Sequence, residues 1–308
     1  MNSGAEAVET AVKLARKWSY EIKNIAENAA KIVVCENNFH GRTTTIVSFS
    51  NDPDANHNYG PFTPGFIKIP YNDLTALEEV LTNEAQHIAA FLAEPIQGEA
   101  GVFVPDPGYL KAASDLCKKH NVLFIADEVQ TGIARTGKLI ACYHEDVQPD
   151  ILILGKALSG GIYPVSAVLA NDEIMNVIKP GQHGSTFGGN PIACAVAIAA
   201  LDVVEEEKLS ERAEELGILF RSEIEKLIEK TDLITKVRGK GLLNAILIND
   251  TPESKTAWNL CLKLKENGLL AKPTHGNIIR LAPPLVITNQ ELMDCVNIIQ
   301  KTILEFEI

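Results

Sequence analysis

The residues with the most chemical promise stand at the ends of apolar runs. In "ILILGKALSGG", Lys156 follows such a run and leads into a glycine-rich turn. A lysine there is expected to be partly desolvated, which favours the neutral amine that condenses with a carbonyl. Read alone, it is equally a lysine reaching solvent from a strand end. In "VLFIADEVQTG", Asp127 closes an apolar run, Glu128 comes next and Gln130 lies two further on. An aspartate so placed either caps local backbone or holds a cationic ring nitrogen. The opening "MNSGAEAVETAVKLARKW" sets Ser3 and Glu6 at capping-box spacing ahead of Val8, Val12 and Ala15, which repeat on one helical face. Gly4 and Ala5 leave the remaining backbone N–H groups open to an anion such as phosphate, although an ordinary capped surface helix has the same pattern. The loop "HGSTFGGNP" offers the hydroxyls of Ser185 and Thr186 for the same purpose, or is simply a glycine-rich loop. A phosphate, a carbonyl for the lysine and a protonated ring nitrogen for the aspartate belong together in one ligand, pyridoxal phosphate (PLP).

Such residues need a frame that brings strand ends together. The runs "KIVVCEN", "FIKIPYN", "HIAAFLAEP", "NVLFIADEV", "PDILILGKAL" and "PVSAVLA" are apolar on both faces and read as strands of a largely parallel sheet with helices between them. Open sheets of this α/β kind bind ligands at the carboxyl ends of their strands. The segment after "HIAAFLAEP" reads as a helix capped by Asp106, with Pro107 at the first position and Leu110, Ala113 and Cys117 on one face. From Asn190 one long helical stretch changes from wholly apolar to amphipathic and reads as a connector. Beyond it, "VRGKGLLNAILI", "GLLAKPTH" and "NIIRLAPPLVI" read as strands among helices of a smaller α+β domain. The expected division is a large domain over 1–194 and a connecting helix plus small C-terminal domain over 195–308.

Composition narrows the partners. A net charge of -12 over 308 residues argues against nucleic acid or an anionic membrane, both of which call for a basic patch. The longest apolar run, "IACAVAIAAL", is short of the ~20 residues of a membrane span. The first residues lack the order of a signal or transit peptide, so the expectation is a soluble cytoplasmic protein. The six cysteines show no Cys-x-x-Cys spacing and read as reduced, buried apolar residues, and the seven histidines suggest no metal site.

In order along nearly the whole chain, "NSGAEAVETAVKLAR", "NNFHGRT", "EPIQGEAGV", "DEVQTGIARTG", "LGKALSGGIYPVSAVLA", "HGSTFGGNP", "RGKGLLNAILI" and "KPTHGNIIRLAPPLVI" resemble the class III, fold-type I PLP-dependent aminotransferases that act on ω-amino groups. The resemblance is strongest to the ornithine aminotransferases. It implies the PLP-dependent transferase fold type I, and it assigns Lys156 to the covalent hold on PLP and to proton transfer at the substrate carbon. By the same resemblance Asp127 pairs with the pyridine nitrogen, Gln130 bonds the ring oxygen and Phe39 stacks on the ring. Gly4 and Ala5 hold the phosphate, helped by Ser185 and Thr186 from the other subunit of a homodimer or higher homo-oligomer. Arg42 binds a substrate carboxylate, while Arg280 takes an α-carboxylate once it is released from Glu99. The implied reaction converts L-ornithine to glutamate 5-semialdehyde and 2-oxoglutarate to L-glutamate. Acetylornithine and 4-aminobutyrate aminotransferases are the alternatives within the family.

Members of that family carry a substantial portion ahead of the "NSGAEA" element. Its absence here is expected to remove an edge strand of the large domain's sheet and expose backbone. A catalytically weak chain that retains the fold is therefore a reading of a different class. For a eukaryotic chain with a lost N-terminal segment, the mitochondrial matrix replaces the cytoplasm.

Overall fold

The computed structural model describes residues 1–306. They form two compact units that interleave in sequence: Met1–Pro95, Pro105–Gly132 and Cys142–Asp202 in the first, and Ile96–Val104, Ile133–Ala141 and the chain from Val203 in the second. The expected boundary at 194 is contiguous, whereas the second unit also claims the segment holding Ile96 and Val102. These two pack with Leu243, Ala245 and Ile278 in a small core of their own.

In the first unit, α1 (Gly4–Glu21), β1 (Lys31–Cys35), the single turns α2 (Thr44–Val47) and α3 (Pro53–Asn56), β2 (Phe66–Ile69) and α4 (Leu74–Glu84) lead to β3 (Ile88–Ala93). Then come α5 (Tyr109–Lys119), β4 (Leu123–Asp127), β5 (Ile151–Leu154), β6 (Ala167–Ala170) and the short α6 (Asp172–Met175). Six strands form one sheet in the order β2-β1-β3-β4-β5-β6. All neighbours are parallel except β5 and β6. The strands are apolar on both faces because both are covered. Helix α1 lays Ala7, Val8, Ala11, Leu14 and Ala15 on one side of the sheet, in a core shared with Ile32, Val34, Ala90, Leu92, Ile125 and Ile153. Phe91 and Phe124, fully or almost fully buried, stack at 5.9 Å, and burial of each ring contributes about 1.5–3 kcal/mol. The sheet's edges are β2 and β6, and Met1 exchanges two backbone hydrogen bonds with Ser166 just ahead of β6.

Helix α7 (Pro191–Glu206) is followed by α8 (Leu209–Ile228) in place of the single expected connector. The break falls at Lys208, whose φ of +50° is left-handed and cannot continue a helix. The second unit continues with β7 (Ile234–Lys240), β8 (Leu243–Ile248), α9 (Thr256–Glu266), β9 (Lys272–Thr274), β10 (Ile278–Leu281) and α10 (Asn289–Leu304). Its antiparallel sheet runs β7-β8-β10-β9 and pairs Arg280 with Lys272 across the last two strands. Phe220, Ile224, Leu260, Leu264, Val296 and Ile299 supply helical side chains to the core behind it.

Two further local expectations are corrected. Asp106 does not cap α5: the helix starts at Tyr109, and the carboxylate of Glu145 accepts the N–H groups of Gly108 and Lys111, both at 3.0 Å. Asp106 instead accepts a hydrogen bond from the Asn72 amide. Of the six cysteines expected to be buried, Cys194 on α7 is exposed and Cys295 is half-buried. Among the described residues, no helix is long and apolar enough to cross a membrane.

Candidate active site

Three neighbouring strands, β3, β4 and β5, deliver Glu94, Asp127 and Lys156 to one carboxyl edge. The start of α1 meets the same edge. Ser3 caps it by accepting the Glu6 N–H, and the Glu6 carboxylate accepts the N–H groups of Asn2 and Ser3 at 2.7 and 2.8 Å. The capping box leaves the N–H groups of Gly4 and Ala5 outside the helix's own ladder, where they face an incoming acceptor. Small residues are needed for the packing around that start. A Cβ on Gly4 would stand 2.8 Å from Val129 Cγ1, and one on Gly41, at φ +124°, would stand 2.7 Å from the Ala5 Cβ.

These elements enclose a cavity of about 150 Å³ lined by Gly4, Ala5, Phe39, Asp127, Gln130 and Lys156, together with His40, Gly41, Glu94 and Val129. Six of the residues singled out from sequence are thus brought together. Lys156 lines this space but is exposed, contrary to the expected desolvation. It opens a single 3₁₀ turn that ends in Gly160 and Gly161, which add no covering side chain. Arg42 lies outside the lining, exposed, with its guanidinium carbon 6.0 Å from the centre of the Phe39 ring. Ser185 and Thr186 also lie outside it, and the Ser185 hydroxyl accepts hydrogen bonds from Gly188 N–H and the Asn2 amide.

Asp127 is almost completely buried. Its Oδ1 accepts the Val129 N–H at 3.0 Å, and its Oδ2 accepts a hydrogen bond from His40 Nδ1 at 2.7 Å. His40 Nε2 is buried with no hydrogen-bond partner among the described residues, so the neutral ring keeps its proton on Nδ1, facing the carboxylate. Burial alone would lower the His40 pKa, but the hydrogen bond and charge of Asp127 outweigh it and hold the pKa above its ordinary value. The neighbouring Glu128 turns away, accepting the Thr131 hydroxyl and the Cys142 N–H.

His40 and Glu94 line the same cavity and are missed by the sequence reading. A signal for Glu94 exists: it follows β3 immediately, as Asp127 ends β4. Glu94 Oε1 accepts the Phe39 N–H at 2.8 Å. Burial, aided by the charge of Asp127, pushes its pKa up to about 7, against the opposing effects of His40, the Phe39 N–H and Lys156. Between its ordinary 4.5 and about 7, the folded chain therefore holds a proton that the unfolded chain has lost. This contribution to stability is complete below pH 4.5 and is lost as pH rises through 7. Glu94→Gln keeps an acceptor for Phe39 and carries no charge. Relative to the parent it is expected to gain on the order of 2 kcal/mol between pH 4.5 and pH 8, read from urea midpoints. Parallel pH dependences for the two proteins would refute the assignment.

The remaining predicted residues lie in the second unit. Arg280 Nη1 donates to Glu99 Oε2 at 2.7 Å, and Lys272 Nζ donates to Glu99 Oε1 at 2.6 Å. Burial pushes the Glu99 pKa up, but the Lys272 hydrogen bond and the Arg280 charge outweigh it and hold the group below its ordinary value. A larger cavity of about 520 Å³ in this unit is walled mainly by Leu269, Ala271, Pro283, Ile287 and Leu292. Asn244, Lys272, Arg280 and Cys295 add polar groups to its lining, but neither Asp127 nor Lys156 reaches it.

Comparison with known proteins places this arrangement in context. Ornithine aminotransferase, mitochondrial, of Rattus norvegicus is 60% identical over 306 residues, covering 99% of this chain and 69% of the rat protein. A crystal structure of acetylornithine aminotransferase from Elizabethkingia anophelis is 79% identical with a TM-score of 0.90, over 99% of this chain and 73% of that one. A structure of ornithine aminotransferase from Toxoplasma gondii, with PLP at partial occupancy in its active site, is 52% identical with a TM-score of 0.95, over 99% and 71%. The family model for aminotransferase class-III matches residues 1–303. Sequence and fold therefore agree that the chain belongs to the class-III aminotransferases.

Proposed function

We propose that this chain binds PLP in the cavity of its first unit and transfers the δ-amino group of L-ornithine to 2-oxoglutarate, giving glutamate 5-semialdehyde and L-glutamate. The observation that carries this reading is the convergence of the free N–H groups of Gly4 and Ala5, the buried carboxylate of Asp127 and the amine of Lys156 on one cavity. The start of α1 fits a phosphate, because the N–H groups of Gly4 and Ala5 lie outside the helix's own ladder and both residues line the cavity. When bound, PLP supplies an aldehyde that takes up the amine and a pyridinium that draws electrons from the breaking bond. Asp127 would hold the proton on the ring nitrogen, with His40 fixing the orientation of its carboxylate. Phe39, Val129 and Gln130 line the same cavity and would hold the ring there, Phe39 by its aromatic face and Gln130 as a hydrogen-bonding partner. Lys156 would anchor the group through its amine and then move a proton at the amine-bearing carbon of the substrate.

Selection between the two ends of ornithine follows from Glu99. An amino acid that presents its α-amine needs an arginine for the adjacent carboxylate, and Glu99 holds Arg280 in an ion pair. With that arginine taken, the amine at the far end is favoured and Arg42 receives the carboxylate. An incoming 2-oxoglutarate competes with Glu99 for Arg280. Ser185 and Thr186 complete the phosphate site in a homodimer, a reading supported by α7, which leaves Ile192 and Ile198 about 60% exposed.

The name of the Elizabethkingia protein favours a second reading, in which the donor is acetylornithine. Both donors present the same δ-amine, so parallel assays decide between them. With L-ornithine, acetylornithine and 4-aminobutyrate, kcat/KM is expected to be highest for L-ornithine by at least about tenfold. The same preparation is expected to sediment as a multiple of the 33.5 kDa chain. Faster turnover of acetylornithine would replace the first reading with the second, and a chain that binds PLP yet accepts none of the amines would end both.

A further inference from the structure

We propose that Lys272 is a positioning residue that competes with Arg280 for Glu99 and so sets how readily Arg280 is freed for a dicarboxylate; this rests on the aminotransferase reading above. Lys272 and Arg280 are direct partners across β9 and β10, an arrangement that sets two cations side by side. Like charges in that position repel unless an anion lies between them. Glu99 is that anion, with one carboxylate oxygen on each cation.

The three groups differ in exposure. The side chain of Arg280 is 16% exposed, that of Glu99 27% and that of Lys272 57%. Lys272 is therefore the partner on the solvent side and Arg280 the partner on the buried side. The backbone of Glu99 is held in place, because its carbonyl accepts the Thr274 hydroxyl at 2.9 Å, and Thr274 shares a face of β9 with Lys272. Release of Arg280 is thus a side-chain rotation with the chain fixed. As Glu99 turns outward, Lys272 keeps one strong hydrogen bond on it, so the carboxylate is never left half-buried without a cation. Without Lys272, leaving Arg280 would strip Glu99 of its last partner, and the closed pair would be held more tightly.

Lys272→Met keeps the apolar stem and removes the charge at an exposed position, so the fold is retained. The expected result is a rise of about two- to fivefold in KM for 2-oxoglutarate, with the rate of the ornithine half-reaction unchanged. Calorimetric titration of the PLP-loaded protein with glutarate, a plain dicarboxylate, is expected to show affinity weakened by the same factor. Lys272→Arg is expected to restore both quantities. Unchanged glutarate affinity and KM in Lys272→Met would overturn the proposal, and so would tighter glutarate binding. A parent protein that neither turns over ornithine nor binds glutarate would sink the aminotransferase reading and this inference with it, an outcome distinct from a parent that does both and a variant that matches it.

Discussion

Lys156→Ala is expected to abolish amine transfer while leaving the fold intact. The side chain is exposed and adds nothing to the core, so its loss is expected to change stability by no more than about 0.5 kcal/mol. Its backbone has a φ of +42°, a left-handed conformation that costs a non-glycine residue about 1–3 kcal/mol, and alanine inherits the same strain. Strain retained for a solvent-exposed lysine is better explained by the place it gives the amine than by packing. The rate of both half-reactions is expected to fall by about 10³-fold or more, because no other lysine lines the cavity among the described residues. Lys156→Arg separates charge from chemistry: it keeps the cation but stays protonated, so the same loss is expected. Borohydride should fix PLP covalently to the parent and to neither variant. Covalent fixation in Lys156→Ala, or more than about a tenth of the parent rate, would move the role to another residue.

The sheet and half of the site are legible in the sequence for one reason: both depend on local pattern. All six residues of β3 are buried, and a strand covered on both faces must be apolar throughout. Polar residues at the ends of such strands stand out, which is why Asp127 and Lys156 are found. Properties set by distant residues are not legible in this way. Glu145, far along the chain, takes the capping role that local spacing gives to Asp106. The exposure of Lys156 depends on what fails to cover the turn after it, and no local pattern records an absent neighbour. Lys272 looks like any surface lysine until β9 pairs with β10 and sets it beside Arg280. His40 is a further case, since only the tertiary fold brings its ring to a carboxylate 87 positions away.

That pairing makes Asp127→Asn a sharper test than its small change in shape suggests. The parent carboxylate accepts on both sides, from Val129 N–H and from His40 Nδ1. An asparagine has one oxygen and one NH₂, so whichever way it turns, one donor now meets another. Relief on the His40 side requires the ring proton to move to Nε2, which is buried and has no partner among the described residues. Either outcome leaves a buried donor unsatisfied and is expected to cost about 1–3 kcal/mol in unfolding experiments. The effect on activity has a separate origin. Without its negative charge, position 127 no longer holds a proton on the pyridine nitrogen, and that proton serves both half-reactions alike. Rates with ornithine and with 2-oxoglutarate are therefore expected to fall together, by about 10²- to 10⁴-fold, while PLP stays attached through Lys156. Asp127→Glu restores the charge at a displaced position and is expected to recover part of the rate but not the stability. A loss confined to one half-reaction, or a fall of less than about tenfold in both, would reduce Asp127 to a cap on the turn at Val129.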